Sequence, residues 1–173
     1  HDPRDYCLMP FGGGGPVHAG RLARELGIRR IAVPRNPGIL CAFGLLVTDL
    51  RHDLSLTRRI RLEAGSIDPI RNAIIKLREE ADEWFQLEQV DRRRQRLVVS
   101  ADMRYVGQNY ELNVPLLESD DDTDMLDALL ANFDTAYERL YNYTVPGEAI
   151  EIVTFRVEAY GIVEKPVFTE ELP

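Results

Sequence analysis

Cysteine is scarce. Cys7 and Cys41 are the only pair in 173 residues, and both sit in apolar stretches. That excludes a disulfide framework and points to a reduced, cytoplasmic setting. Histidine numbers three, with no cysteine pair at ligand spacing, so a zinc site is not expected. No apolar run approaches the roughly 20 residues of a membrane span. The longest, Ile39 to Val47, is broken by Gly44 and reads as a buried helix. There is no signal peptide, and the chain opens on His1-Asp2-Pro3 without methionine, which reads as a piece of something longer. An excess of positive charge is lacking too. The formal net charge of −8 argues against a nucleic-acid partner, because phosphates are held by clustered Lys and Arg.

What is present is the composition of a folded, soluble protein: 45% hydrophobic, 29% charged, with 12 Gly and 10 Pro. The length suits one to one and a half domains. Charge is unevenly placed. Residues 1–96 carry 17 basic and 13 acidic groups, whereas residues 97–173 carry 4 and 16. The pattern predicts an α+β protein in two parts, 1–50 and 51–173.

In the first part, the apolar run Tyr6 to Met9 leads through Pro10 and Phe11 into four glycines, Gly12 to Gly15. Pro16 opens a helix over 16–26 that Gly27 stops. A second short strand, Ile31 to Val33, ends at Pro34, and Asn36-Pro37-Gly38 turns the chain into a helix near 39–50. The unit is β–glycine loop–α–β–α. In the second part, Leu54, Leu56, Ile60 and Leu62 alternate as in a half-buried strand. Ser66 is placed to cap a helix whose apolar positions, Ile67 to Trp84, repeat at three-four spacing to about Gln89. Leu97, Val99, Ala101, Met103 and Tyr105 pair as a hairpin with Tyr110, Leu112 and Val114 across Gly107-Gln108-Asn109. The run Ser119 to Asp122 precedes a helix burying Met125, Leu126, Leu129, Leu130, Phe133, Tyr137, Leu140 and Tyr141, and its carboxylates suit the positive helix end. A last strand, about 149–162, sets Val153, Phe155, Val157 and Ala159 on one face.

The glycine loop is the strongest chemical signal. Four glycines between a strand and a helix leave bare backbone that a ligand can approach, with free N–H groups at the helix start. A nucleotide is the natural guest, and a tight connector is the alternative. The loop is neither a P-loop nor a dinucleotide fingerprint, whose third glycine position is here His18. His18 stands where it can bond a phosphate or ribose, or serve the helix structurally. Cys41 reads as core rather than as a nucleophile, His52-Asp53 as only superficially a metal dyad, and Asn142-Tyr143-Thr144 as a chance sequon. Asp120 to Asp122 suit capping better than cation binding. Arg104 and Gln108 exceed what a hairpin needs, and are expected to pin it to the first part or to a partner chain.

Phe11-Gly-Gly-Gly-Gly-Pro-Val-His18, with Asp2-Pro-Arg-Asp5, Pro34-Arg-Asn-Pro-Gly38, Ala42-Phe-Gly44, Arg104-Tyr-Val-Gly-Gln108 and Glu151-Ile-Val-Thr-Phe-Arg156, resembles the C-terminal part of the hydantoinase A/5-oxoprolinase family. The resemblance spans nearly the whole chain in the family's order. Gly14 stands where the family usually has Ala, and Cys41 where Ser is common.

The resemblance implies that 1–50 closes an actin-like, ribonuclease H-like ATPase domain and that 51–173 is an α+β module with a mainly antiparallel sheet and two long helices. It implies a parent enzyme that uses ATP and Mg²⁺ to open a cyclic amide, phosphorylating the ring carbonyl oxygen before water attacks. A ketone carboxylase, or a non-catalytic interaction module, is the alternative. Gly12, Gly13, Gly14, Gly15, Pro16 and His18 would lie beside the adenosine. Phosphate, Mg²⁺ and catalytic residues would lie in the family's N-terminal half, leaving this piece inactive alone. The implied partner is a hydantoinase B-type subunit, in a homo- or hetero-oligomer.

Overall fold

The computed structural model describes residues 1–116 and 121–165. Ser119 and Asp120 of the acidic run lie outside the described residues. The chain divides into two compact units, with His1–Thr48 in one and Asp49–Ile162 as the other.

In the first unit, β1 (Cys7–Leu8) pairs in parallel with β2 (Arg30–Ile31), Cys7 opposite Arg30 and Leu8 opposite Ile31. The glycine run and α1 (Gly15–Leu26) connect them. Gly27 ends α1 in the left-handed conformation, φ 69°, its N–H donating to the carbonyls of Ala23 and Arg24. A 3-10 turn at Pro37–Ile39 leads into α2 (Leu40–Leu46). This helix is shorter than the pattern predicts and is not buried. Ile39, Cys41, Leu45 and Leu46 are all exposed. Only Pro10, Ala19 and Ala23 are buried in residues 1–48, and of the apolar run Leu40, Phe43, Gly44 and Val47 are no more than half-buried.

The second unit holds the core. Four strands, β3 (Leu50–Arg61), β4 (Gln95–Tyr105), β5 (Leu112–Pro115) and β6 (Ile150–Gly161), form an antiparallel sheet in the order β3-β6-β4-β5. Two long helices, α3 (Ile67–Leu87) and α4 (Asp122–Tyr141), pack on it: α3 against β3 and β6, α4 against β5. Their apolar stripes Ile70, Ala73, Ile74, Leu77, Ala81, Phe85 and Met125, Leu129, Phe133, Tyr137 meet Ala101, Met103, Val114, Phe155 and Val157.

Four sequence expectations are corrected here. Ser66 does not cap α3 with its side chain; its Oγ instead accepts from the Glu63 N–H at 3.4 Å. Tyr110 precedes β5 and is exposed. The inward face of β6 changes at a bulge: β6 takes two steps from Thr154 to Ile152 where β4 takes one, Asp102 to Met103, and β3 takes three, Thr57 to Ile60. Ile150 and Ile152 therefore join Phe155, Val157 and Ala159 in the core cluster, in place of Val153. Finally, Leu140 and Tyr141 are exposed, although they continue the buried spacing of α4. A 20-residue helix is about 30 Å long, whereas the four-residue β5 beneath it spans about 13 Å.

Candidate functional site

The glycine loop adopts a shape that only bare backbone supplies. Gly12 has φ +82°, and its N–H donates to the Pro37 carbonyl at 2.8 Å, tying the loop to the Pro34-Arg-Asn-Pro-Gly38 turn. A Cβ built on Gly12, Gly13 or Gly14 meets nothing within 4 Å, whereas one on Gly15 would rest on Pro10 at 3.6 Å. The loop thus turns an open, side-chain-free surface outward. Gly14 occupies the N-cap of α1 with no side-chain cap, and Pro16 sits in the first turn. The leading N–H groups of α1 have no side-chain acceptor from the cap residue, and they carry the positive end of the helix dipole. His18 is exposed on the same first turn.

The turn that receives Gly12 also lines a recess of about 240 Å³, walled by Pro34, Arg35, Asn36, Ile39, Leu40 and Phe43. A buried helix at Ile39 to Val47, as the apolar run predicts, would leave no such recess; it forms where the turn marked in the sequence by Pro34 and Asn36-Pro37-Gly38 meets the start of α2. The six residues singled out from the sequence, Gly12 to Pro16 and His18, are contiguous in space because they are contiguous in the chain. The Pro34–Gly38 turn is what the fold adds.

The other candidates are not brought there. Cys41 is an exposed free thiol on α2, not a core residue. His52 and Asp53 are adjacent in β3 and so point to opposite faces. His52 stacks on Trp84, with ring centroids 5.3 Å apart, while Asp53 accepts from Arg51 Nε at 2.9 Å. Asn142 is the left-handed C-cap of α4. Asp121 caps that helix, accepting from the N–H groups of Thr123 and Asp124, and Asp122 pairs with Arg71 of α3 at 2.5 Å. Among the described residues no group of three or more His, Cys, Asp or Glu could hold a metal ion. No helix among them is long and apolar enough to cross a membrane.

Arg104 and Gln108 pin the hairpin within its own unit. Arg104 Nε donates to Glu151 Oε1 at 2.8 Å, and its guanidinium also reaches Glu111 at 3.4 Å. Gln108 Nε2 donates to Tyr137 Oη of α4 at 3.3 Å. Beside them, on the sheet face away from the helices, Arg156 donates to the buried Asp102 carboxylate at 2.7 Å and Asn113 at 2.9 Å. Burial pushes the Asp102 carboxyl up, but these bonds outweigh it and hold the group below the usual carboxylate range.

A family model described as hydantoinase/oxoprolinase matches residues 1–54, and one described as the hydantoinase/oxoprolinase C-terminal domain matches residues 61–172. An uncharacterised protein of Methanocaldococcus jannaschii is 35% identical over 96% of this chain and 23% of its own length. Caprolactamase subunit alpha of Pseudomonas jessenii is 30% identical over 98% of this chain and 25% of its own. The crystal structure of that ATP-dependent caprolactamase superposes with a TM-score of 0.70 over 96% of this chain and 24% of the solved chain. Nucleotide-free acetone carboxylase shares the fold, with a TM-score of 0.83 at 23% identity over 99% of this chain and 26% of the solved one. The chain thus spans about a quarter of the length of the relatives it matches.

Proposed function

We propose, since this chain belongs to the hydantoinase/oxoprolinase family, that it is the C-terminal portion of an ATP-dependent cyclic-amide hydrolase and supplies the adenosine side of its nucleotide site. The observation that carries the reading is the glycine loop. Gly12, Gly13 and Gly14 present backbone with no obstruction within 4 Å, fixed by the Gly12–Pro37 bond beside the unblocked start of α1. Backbone so exposed accepts a sugar at van der Waals distance, and the helix start favours the negative charge that follows it. Gly15 and Pro16 set the direction of α1, and His18 on its first turn is within one helical turn of the loop.

The residues fit an adenosine and do not fit Mg²⁺. With no carboxylate cluster in the described residues, the cation and the phosphates would be held by other parts of the parent. Those parts would belong to an actin-like domain that the first unit completes. The apolar side chains that unit leaves exposed, Tyr6, Met9, Val17, Ile39, Leu45 and Leu46 among them, would be covered by it. The cyclic-amide reading over ketone carboxylation is supported by the likeness to caprolactamase, 30% identical over 98% of the chain. By the same likeness to a subunit alpha, the parent works with a second subunit, expected to be of the hydantoinase B type.

The test is titration of the parent protein with a fluorescent ATP analogue. Gly13→Val places a branched side chain in the open face of the loop and is expected to weaken binding at least tenfold with an unchanged melting temperature. Equal affinity in the variant removes the adenosine-side assignment.

A further inference from the structure

One end of the second unit carries an aromatic surface that neither the fold nor the glycine loop explains. Leu140 and Tyr141 of α4, Tyr143 beyond it, and Val106 and Tyr110 at the tip of the β4–β5 hairpin are all exposed, Tyr110 at 79% and Tyr143 at 54%. The tyrosines at the helix end hold one another in place. Rings of Tyr137, Tyr141 and Tyr143 lie 4.6–6.4 Å apart, and the Tyr137 and Tyr143 hydroxyls are 3.4 Å from each other. Gln108 donates to Tyr137, the Val145 N–H donates to the Tyr105 hydroxyl at 3.0 Å, and the Val106 N–H donates to the Ala149 carbonyl at 2.8 Å. Hairpin tip and helix end are thereby one fixed surface.

Its surroundings are mainly acidic. Residues 134–149 contain Asp134, Glu138 and Glu148 against a single cation, Arg139, while Glu111 on the hairpin side is paired with Arg104 at 3.4 Å. The carbonyl end of α4 adds partial negative charge. Fixed tyrosines that give up little rotamer freedom on contact, ringed by carboxylates, are the composition of an interface centre and rim.

We propose that this surface is where the partner subunit of the parent enzyme docks, through a segment that sets an apolar anchor among the tyrosines and brings Arg or Lys side chains to the carboxylate rim. The proposal rests on the reading of the parent as one subunit of a larger enzyme. A second copy of this chain is the poorer occupant: a two-fold contact places the same patch on both sides and would oppose one acidic rim to another.

The experiment uses the full-length parent and its hydantoinase B-type subunit, with the dissociation constant measured by sedimentation and the association rate by a surface-binding assay. Tyr110→Ala with Tyr143→Ala is expected to weaken assembly at least tenfold. Glu138→Lys with Glu148→Lys is expected to slow association severalfold and to reduce its dependence on salt. Tyr110→Lys, a change at the most exposed of these positions, guards against misfolding and is expected to weaken assembly while leaving the melting temperature unchanged. Folded tyrosine variants that bind the B-type subunit within twofold of the unaltered parent overturn the proposal. So does a loss of self-association in place of a loss of subunit binding. If the unaltered parent does not bind the B-type subunit at all, the multi-subunit reading falls first, an outcome distinct from a complex that forms and ignores the tyrosines.

Discussion

At the scale of single residues, two glycines in one loop do different work. Gly12 is strained for any L side chain at φ +82°, and its N–H is committed to Pro37. Gly13 keeps the loop surface clear. Gly12→Ala is therefore expected to cost the first unit about 1–2 kcal/mol, the penalty of a left-handed residue, while Gly13→Ala leaves stability within about 0.5 kcal/mol. Thermal melts of the two variants check this. The sequence shows four equivalent glycines; nothing in the letters distinguishes the one that turns the chain from those that face outward.

Asp102 supports a pH prediction. Its carboxyl is held below the ordinary value in the folded state, so its stabilisation is present above the unfolded pKa of about 4 and is lost as pH falls through the lower folded value. Asp102→Asn is expected to cost about 1.5–3 kcal/mol at pH 7, the range for bonds to a charged group. That difference should shrink below about pH 4, as read by urea denaturation at both pH values.

At the scale of elements, periodicity served well where one helix met one sheet, and failed where lengths did not match. The stripe of α3 was legible from Ile67 to Ala81, with Trp84 packed against the same core, because the helix lies over long strands. In α4 the same spacing runs on through Tyr141, but the short β5 ends beneath it, and a sequence carries no record of how long a helix's support is. Two substitutions test the boundary. Leu129→Ala, fully buried, is expected to cost about 2–5 kcal/mol. Leu140→Ala, exposed, should stay within about 0.5 kcal/mol by the same chemical denaturation. The bulge in β6 was equally illegible: alternation from Ala159 back to Phe155 extrapolates to Val153, and only the mismatched steps of β3 and β4 reveal the change of face. Arg104 and Gln108 were recognised as surplus to a turn, but their partners, Glu151 and Tyr137, lie 47 and 29 residues away, beyond any local pattern.

At the scale of the whole molecule, the two units differ in how much they hold by themselves. Backbone amides of β3, α3, β4 and β6 are expected to resist hydrogen exchange, whereas those of 1–48, with only Pro10, Ala19 and Ala23 buried, should exchange faster; mass-spectrometric exchange on the intact chain measures both. The strand order has a further consequence, for biosynthesis. The interior strand that joins β3 to β4, β6, is the last of the four to be made. At about 5–20 residues per second, β3 leaves the ribosome with roughly 4–18 s to wait for the strand it pairs with. During that interval the apolar stripes of α3 and α4 have no complete sheet to lie on, and a chain stopped before Ile150 lacks the strand that joins β3 to the β4–β5 hairpin. For this chain the joining of β3 to β4 is therefore a late event, delayed until the twelve residues of β6 have been made.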